Sequence, residues 1–256
     1  MAIKLASWNV GRRLSSEKHA GNVIEGLKRL DADVVVLPES YSKSSIPTDK
    51  ASEAMIALGY QRRTLEYQDA LPHPSERQYM TVLSRIAGTA VEATMLKTRR
   101  AFALSLVDPE SKQETRGIGA HYDDRTEALR IGMAEATIAL DPDFVIGDIN
   151  SAEGPNNISR LVAGARHIPH PRARSLGGRL HDMQQGGARR VLGSELQAVG
   201  NGELTKSLVA GRVGVAALDA LYVNPARLDV ADYAVHTAIR ASDHWPISAS
   251  IQPVQS

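Results

Sequence analysis

The sequence predicts an α/β protein in which two packed sheets carry helices on their outer faces. Strand–helix–strand alternation occurs twice, strand-rich sequence of antiparallel character lies between the two occurrences, and no linker is long enough to divide the chain. At 256 residues, with 43% hydrophobic and 23% charged content, one large domain over 1–256 suits the chain better than two small ones.

The elements follow in order. Lys4 to Asn9 reads as a strand, and Ser16 to Leu30 as a helix with Val23, Ile24, Leu27 and Leu30 on one face. Asp33 to Leu37 is a β-branched run of the kind expected in a strand buried on both faces. Pro38 should end it and leave Glu39 in a loop; Thr48 can cap a short helix through Leu58. Short strands are expected at Gln78–Arg85, Gly88–Met95, Ala101–Val107 and Glu114–His121, separated by turn residues such as Asp108-Pro109. Asp124, with Glu127 three residues on, resembles a capping box for a helix running to about Leu140, which Asp141-Pro142 breaks. Phe144-Val145-Ile146 is a buried strand delivering Gly147-Asp148-Ile149-Asn150. Two helices are expected near Ile158–Ala163 and Ala188–Leu196, and closing strands at Ala217–Val223, Leu228–His236 and Pro246–Ile251.

Composition excludes several classes. No apolar run approaches the ~20 residues that span a bilayer, and the amino terminus reads as a strand instead of a signal peptide. Cysteine is absent, which rules out disulfides and thiolate metal sites. A cytoplasmic protein is the default expectation, although a cysteine-free chain is compatible with export. The net charge of +1 does not advertise nucleic-acid binding. Between Arg160 and Arg190, however, seven arginines face one acid, Asp182. That stretch, with Arg172, Arg174 and Arg179 at its centre, is either a phosphate-facing surface or a product of an arginine-rich composition, 22 against 8 lysines.

Six motifs stand at or just beyond strand ends: Trp8-Asn9, Pro38-Glu39-Ser40, Ala120-His121-Tyr122, Gly147-Asp148-Ile149-Asn150, Leu218-Asp219-Ala220-Leu221-Tyr222 and Ser242-Asp243-His244. Singly each is weak, because a strand-end aspartate is usually a cap or turn residue and Trp8 alone is core. Together they are chemically coherent. Glu39, Asp148 and Asp243 are hard oxygen donors, and Asn9 and Asn150 neutral ones, a set suited to Mg²⁺ or Mn²⁺ and unsuited to structural zinc.

In this order the motifs resemble those of the endonuclease/exonuclease/phosphatase superfamily, which includes deoxyribonuclease I, apurinic/apyrimidinic endonucleases, inositol-polyphosphate 5-phosphatases and sphingomyelinases. The resemblance runs from Trp8 to Trp245. It is most specific at Gly147-Asp148-Ile149-Asn150, beside the family's Gly-Asp-Phe-Asn, and at Ser242-Asp243-His244. It implies a four-layer α/β sandwich, two mostly antiparallel sheets packed face to face with helices outside, and a metal-dependent phosphoester hydrolase. Carried onto matching positions, it implies Glu39 as the Mg²⁺ ligand with Asn9 and Asp243 close to the ion or its waters. It implies Asp148 and Asn150 handling the attacking water, His244 contacting the scissile phosphate with Asp219 orienting it, and His121 stabilising the transition state or protonating the leaving oxygen. The chain departs from the pattern at Gly119-Ala120-His121-Tyr122, where many members have Asn-Thr-His-Leu, and in lacking the family's Thr-Trp segment. A supporting tyrosine or arginine has three candidates, Tyr67, Arg77 and Tyr79.

Three functions remain in play. The first is a phosphodiesterase acting on nucleic acid, endo- or exonuclease. The second is a phosphatase or phospholipid or inositol-phosphate phosphodiesterase, less favoured for lipid because no long hydrophobic hairpin is present. The third is a binding protein that retains the fold without catalysis, disfavoured because all eight candidate side chains are in place. Salt separates the first two, since a nuclease releases counterions from each phosphate it contacts. No protein partner is inferable.

Overall fold

The computed structural model describes residues 2–42, 49–67, 78–108, 111–124, 126–152, 186–200, 203, 205–208, 213–216 and 218–254. Within them two six-stranded mixed sheets pack face to face with helices outside, the four-layer α/β sandwich expected.

The first sheet is built around β1 (Ile3–Ser7), which runs through α1 (Glu17–Leu30) into β2 (Val34–Ser42). These two strands pair in parallel, and α1 is the right length for the crossover. After α2 (Asp49–Ala57), β3 (Gln61–Tyr67) and β4 (Gln78–Ser84) extend this sheet on the β2 side. The second sheet takes β5 (Ala90–Leu96), β6 (Arg99–Val107) and β7 (Glu114–His121), then crosses through α3 (Glu127–Ile138) to β8 (Phe144–Asp148), parallel to β7. Helix α4 (Gly187–Glu195), β9 (Gln197–Val199), a small hairpin of β10 (Lys206–Leu208) and β11 (Val213–Ala216), and β12 (Asp219–Val223) follow. The chain then returns to the first sheet with β13 (Leu228–Val235) and β14 (Ile247–Pro253). The strand orders are β13-β14-β1-β2-β4-β3 and β5-β6-β7-β8-β12-β9.

Alternation along each strand explains the layers. Leu5, Val34, Val36 and Val82 face the second sheet, where Phe102, Leu104, Phe144, Ile146 and Leu221 meet them. Ala6, Val35 and Leu37 point the other way, against Val23, Leu27 and Leu30 of α1 and Met55 of α2. On the far side, Ile118, Ala120 and Val145 pack under Met133 of α3 and Leu192 of α4. Strands buried on both faces are what the apolar runs at 34–37 and 144–146 require. Trp8, fully buried, lies against α1 at Gly26, where a β-carbon would stand 2.6 Å from the indole.

Several expectations are corrected. Pro38 does not end its strand: β2 continues to Ser42, and a bulge between Leu37 and Tyr41 absorbs Pro38, Glu39 and Ser40. The cap of α3 is Thr126, whose hydroxyl accepts from Leu129 N–H at 3.3 Å. Asp124 instead accepts from Arg99 at 3.0 Å, because a buried guanidinium competes for it. The strand β3 was not expected, since Gln61-Arg62-Arg63-Thr64 is a polar edge sequence. The expected cap Thr48 and the helix at 158–163 lie outside the described residues. No helix among the described residues is long and apolar enough to cross a membrane.

Candidate active site

Topology brings the six motifs to one end of both sheets. The parallel strands β1, β2, β7 and β8 all finish there, and β12 and β14, antiparallel to β8 and β1, begin there. In the second sheet the placement is a matter of register: His121 and Asp219 are the cross-strand neighbours of Asp148, on β7 and β12 respectively. Gly147 makes that row possible. Its φ of 152° and a β-carbon position only 1.9 Å from Ala120 O leave no room for any side chain.

Asp148 is at the centre and almost fully buried. Its Oδ1 accepts the Asn150 backbone N–H at 3.0 Å, and its Oδ2 accepts from Asn9 Nδ2 at 2.9 Å. The same Oδ2 lies 3.8 Å from His244 Nε2 and 3.9 Å from His121 Nε2. His244 Nδ1 is 2.7 Å from Asp219 Oδ2, a buried hydrogen bond that assigns the ring proton to Nδ1 and points Nε2 toward Asp148. Backbone contacts lock the dyad: Thr205 Oγ1 accepts from Leu218 and Asp219 N–H at 3.0 and 2.9 Å, Thr205 O accepts from Trp245 N–H at 2.7 Å, and the Trp8 indole donates to His244 O at 3.0 Å.

Glu39 reaches this centre from the bulge of β2, with a left-handed φ of 47°. Its Oε1 accepts from Asn9 Nδ2 at 3.2 Å and lies 3.7 Å from His121 Nε2. Asn9 therefore donates between the two carboxylates, while its Oδ1 accepts from Gly11 N–H at 3.0 Å. Ser40 secures the bulge by donating to Tyr79 O at 2.8 Å. Asn150, also left-handed at φ 50°, directs its Nδ2 to Tyr122 O at 3.0 Å.

In front lies an open cleft of about 640 Å³. Asn9, Gly11, Arg12, Arg13, Glu39, Arg240, Ser242, Asp243 and His244 line it. Glu39 keeps 25% of its side chain exposed against 1% for Asp148, so one carboxylate meets water and the other does not.

Two groupings can hold a cation. Asp148, Asp219 and His244 bring ligand atoms within 4.8 Å of one another, and Asp219 Oδ1 is buried with no hydrogen-bond partner among the described residues. Imidazole in that set favours Mn²⁺ or zinc over Mg²⁺, and the 2.7 Å bond already engages two of its three members. Glu39, on the cleft, offers oxygen next to solvent, the setting of an ion that keeps several of its waters.

All eight central side chains expected from the sequence meet at this end of the sheets. Arg172, Arg174 and Arg179 lie outside the described residues, as do Arg77 and the Tyr67 side chain. Tyr79 packs at the margin of the α1 and α2 layer and accepts the Ser40 hydroxyl on its carbonyl. Arg12, Arg13, Arg240 and Thr205 went unread in the sequence. Arg189, expected as one of the seven arginines of the basic stretch, is buried, donating to Ser151 O and, at 3.5 Å, to Asp219 O. The arginine excess was a visible signal, and five of the seven arginines of the stretch it marked lie outside the described residues.

No protein-family model matches the sequence, and no curated protein matches it significantly. Solved structures do. An endonuclease/exonuclease/phosphatase from Beutenbergia cavernae aligns with a TM-score of 0.65 and 16% identity, over 98% of this chain and 72% of that one. An AP endonuclease from Archaeoglobus fulgidus aligns with 0.61 and 14%, over 96% and 98%. The mannosyl-6-phosphatase Bt3783 of Bacteroides thetaiotaomicron aligns with 0.58 and 14%, over 98% and 99%. Likeness at this identity speaks for architecture: the chain has the fold of the endonuclease/exonuclease/phosphatase superfamily.

Proposed function

We propose that the protein is a metal-dependent phosphoester hydrolase whose substrate is a nucleic-acid phosphodiester. The observation that carries this reading is the placement of Asp148 Oδ2 between the Nε2 atoms of His121 and His244, with Asp219 behind His244 and Glu39 in front.

A phosphodiester is anionic and repels nucleophiles, so its hydrolysis needs charge neutralised as it grows on the phosphoryl oxygens. Glu39, with Asp243 in the same cleft, would hold Mg²⁺ or Mn²⁺, which supplies that neutralisation and a more acidic bound water. Asp148 is fixed by Asn150 N–H and Asn9 Nδ2, and its Oδ2 would orient or deprotonate the attacking water. His244, its orientation set by the Asp219 hydrogen bond at Nδ1, would turn Nε2 to the phosphate. His121, on the other side of Asp148, would protonate the leaving oxygen. Asn9 holds the two carboxylates apart with a donor, which lessens their repulsion.

A panel of single- and double-stranded DNA, RNA, abasic DNA and phosphomonoesters, each with Mg²⁺, Mn²⁺ or EDTA, tests the proposal. Cleavage of a nucleic acid that needs the metal and vanishes in Asp148→Asn is the expected result. Activity persisting in EDTA would sink the mechanism. Turnover confined to monoesters would replace the substrate with that of the phosphatase reading. Turnover should also collapse in Asp148→Ala and His244→Ala with folding retained; equal loss of folding in both would make these residues structural.

A further inference from the structure

Asp148 and Asp219 form the last row of the β8–β12 ladder, at the end of the sheet that carries the candidate site. One further backbone bond lies beyond them, from Ile149 N–H to Leu218 O at 2.9 Å. Neighbouring residues of an antiparallel strand turn their carbonyls to opposite edges, so the Asp219 carbonyl points away from β8. Arg189 meets it there. Its Nη2 donates to Asp219 O at 3.5 Å, while its Nε donates to Ser151 O. One guanidinium thus joins the chain that leaves Asp148 to the chain that bears Asp219. On the other side of the Asp219 peptide, Thr205 Oγ1 accepts its N–H at 2.9 Å.

Arg189 is itself fixed by the seating of α4 on α3. Gly187 permits the close approach, since a β-carbon there would stand 2.7 Å from both Glu127 Oε1 and Ile131 Cδ1. Glu127 Oε1 accepts Ala188 N–H at 2.8 Å and the Ser151 hydroxyl at 3.4 Å, and its Oε2 accepts from Arg130 Nε at 2.7 Å. Glu127, Arg130 and Arg189 are all buried. A carboxylate and a guanidinium therefore converge on Ser151, one taking its hydroxyl and the other donating to its carbonyl. Ala188 and Leu192 already place α4 in the apolar layer. A buried guanidinium loses its hydration and often stabilises no more than an apolar side chain would, so packing alone gives no reason for an arginine here.

We propose that Arg189 is a positioning residue, which holds the Asp219–His244 pair in place relative to Asp148 by joining Asp219 O to Ser151 O. Asp219 Oδ2 lies 2.7 Å from His244 Nδ1, and His244 Nε2 lies 3.8 Å from Asp148 Oδ2. A shift of the Asp219 backbone consequently passes to the imidazole. The effect on turnover rests on the hydrolase reading; the effect on the His244 ring does not.

Two variants test this: Arg189→Met, which keeps an apolar stem and removes the donors, and Arg189→Lys, which keeps one nitrogen for two carbonyls. In protein labelled with ¹⁵N-histidine, proton NMR reads the His244 Nδ1–H, assigned by its absence in His244→Gln. The wild type should show this proton protected from exchange with water. Arg189→Met should lose the protection under conditions where its amide spectrum is that of a folded protein, and Arg189→Lys should lie between the two. Turnover should fall about 10- to 100-fold in Arg189→Met, with KM within about twofold of the wild type. The double variant Arg189→Met, Asp219→Asn should be no slower than Asp219→Asn, because both changes act through one imidazole.

An arginine that merely supports the fold would leave the ring proton protected and would multiply its loss of turnover with that of Asp219→Asn. Either result overturns the proposal, as does a wild type without a protected His244 ring proton. If Arg189→Met does not fold, Arg189→Lys decides, and an unchanged ring proton there is equally fatal. A ring proton that depends on Arg189 in a protein that turns over nothing in the substrate panel would instead defeat the hydrolase reading and leave the positioning role standing.

Discussion

The two parallel β-α-β units, β1–α1–β2 and β7–α3–β8, carry out the same crossover and end differently. In the first, β2 breaks its register with β4 and bulges, lifting Glu39 into the cleft with a quarter of its side chain exposed. In the second, β8 stays in register to its last residue, and Asp148 remains flanked by His121 and Asp219 at 1% exposure. Strain is placed accordingly: Glu39 itself is left-handed, whereas in the second unit the unusual backbone falls on Gly147 and Asn150 to either side of Asp148. One motif thus yields two kinds of carboxylate. A half-wet one suits an ion that keeps its waters, and a desolvated, hydrogen-bonded one suits steering a single water.

The sharpest way to break this contrast is Asp148→Asn. Turnover should fall by about 10³-fold or more with the thermal midpoint nearly unchanged; a comparable fall in both would remove Asp148 from the chemistry. Gly147→Ala should be the largest effect on folding, about 4 kcal/mol by urea denaturation, because a β-carbon there collides with the Ala120 carbonyl. Stability near the wild-type value would show that the backbone row can rearrange. Glu39→Gln should weaken Mg²⁺ binding about 10- to 100-fold by calorimetry, and unaltered binding would move the ion to the Asp148–Asp219–His244 group. Glu39→Gly should keep stability or raise it by up to about 1 kcal/mol, since glycine relieves the left-handed strain. That sign is opposite to Gly147→Ala, and a large loss would mean the Asn9 and Arg12 contacts outweigh the strain.

The smallest expected effect lies in the first sheet, at His236, just beyond β13. Burial, reinforced by Lys4 and Arg29, lowers its pKa from 6.5, and its Nε2 lies 2.8 Å from Ser248 Oγ. The unfolded chain therefore takes up a proton at higher pH than the folded one. Stability from this group is complete above pH 6.5 and declines as pH falls below it. His236→Gln should flatten that part of the stability–pH curve, and an unchanged curve would place the dependence elsewhere.

Much of the architecture is legible in the sequence because burial on both faces leaves a mark, as in Val34-Val35-Val36-Leu37 and Phe144-Val145-Ile146. What escapes has little local mark. Edge strand β3 is polar because it pairs on one side only. Pro38 reads as a stop, yet in a bulge its missing N–H breaks no ladder bond, so the strand resumes beyond it. Thr205 belongs to no motif; its value comes from standing where the chains of Asp219 and His244 meet. The arginines show the same limit, since Arg12, Arg13 and Arg240 line the cleft although no motif marks them.

By itself the sequence determined the layers, the order of the strongly apolar strands along the chain and the set of polar side chains at their ends, because hydrophobic period and side-chain chemistry are properties of short segments. Only the tertiary structure decided that Glu39 is open and Asp148 enclosed, that Asn9 donates between them, and that Arg12 and Arg240 line one cleft. Those relations are set by strand register and by a bulge, and register depends on which strands pair across the whole length of the chain.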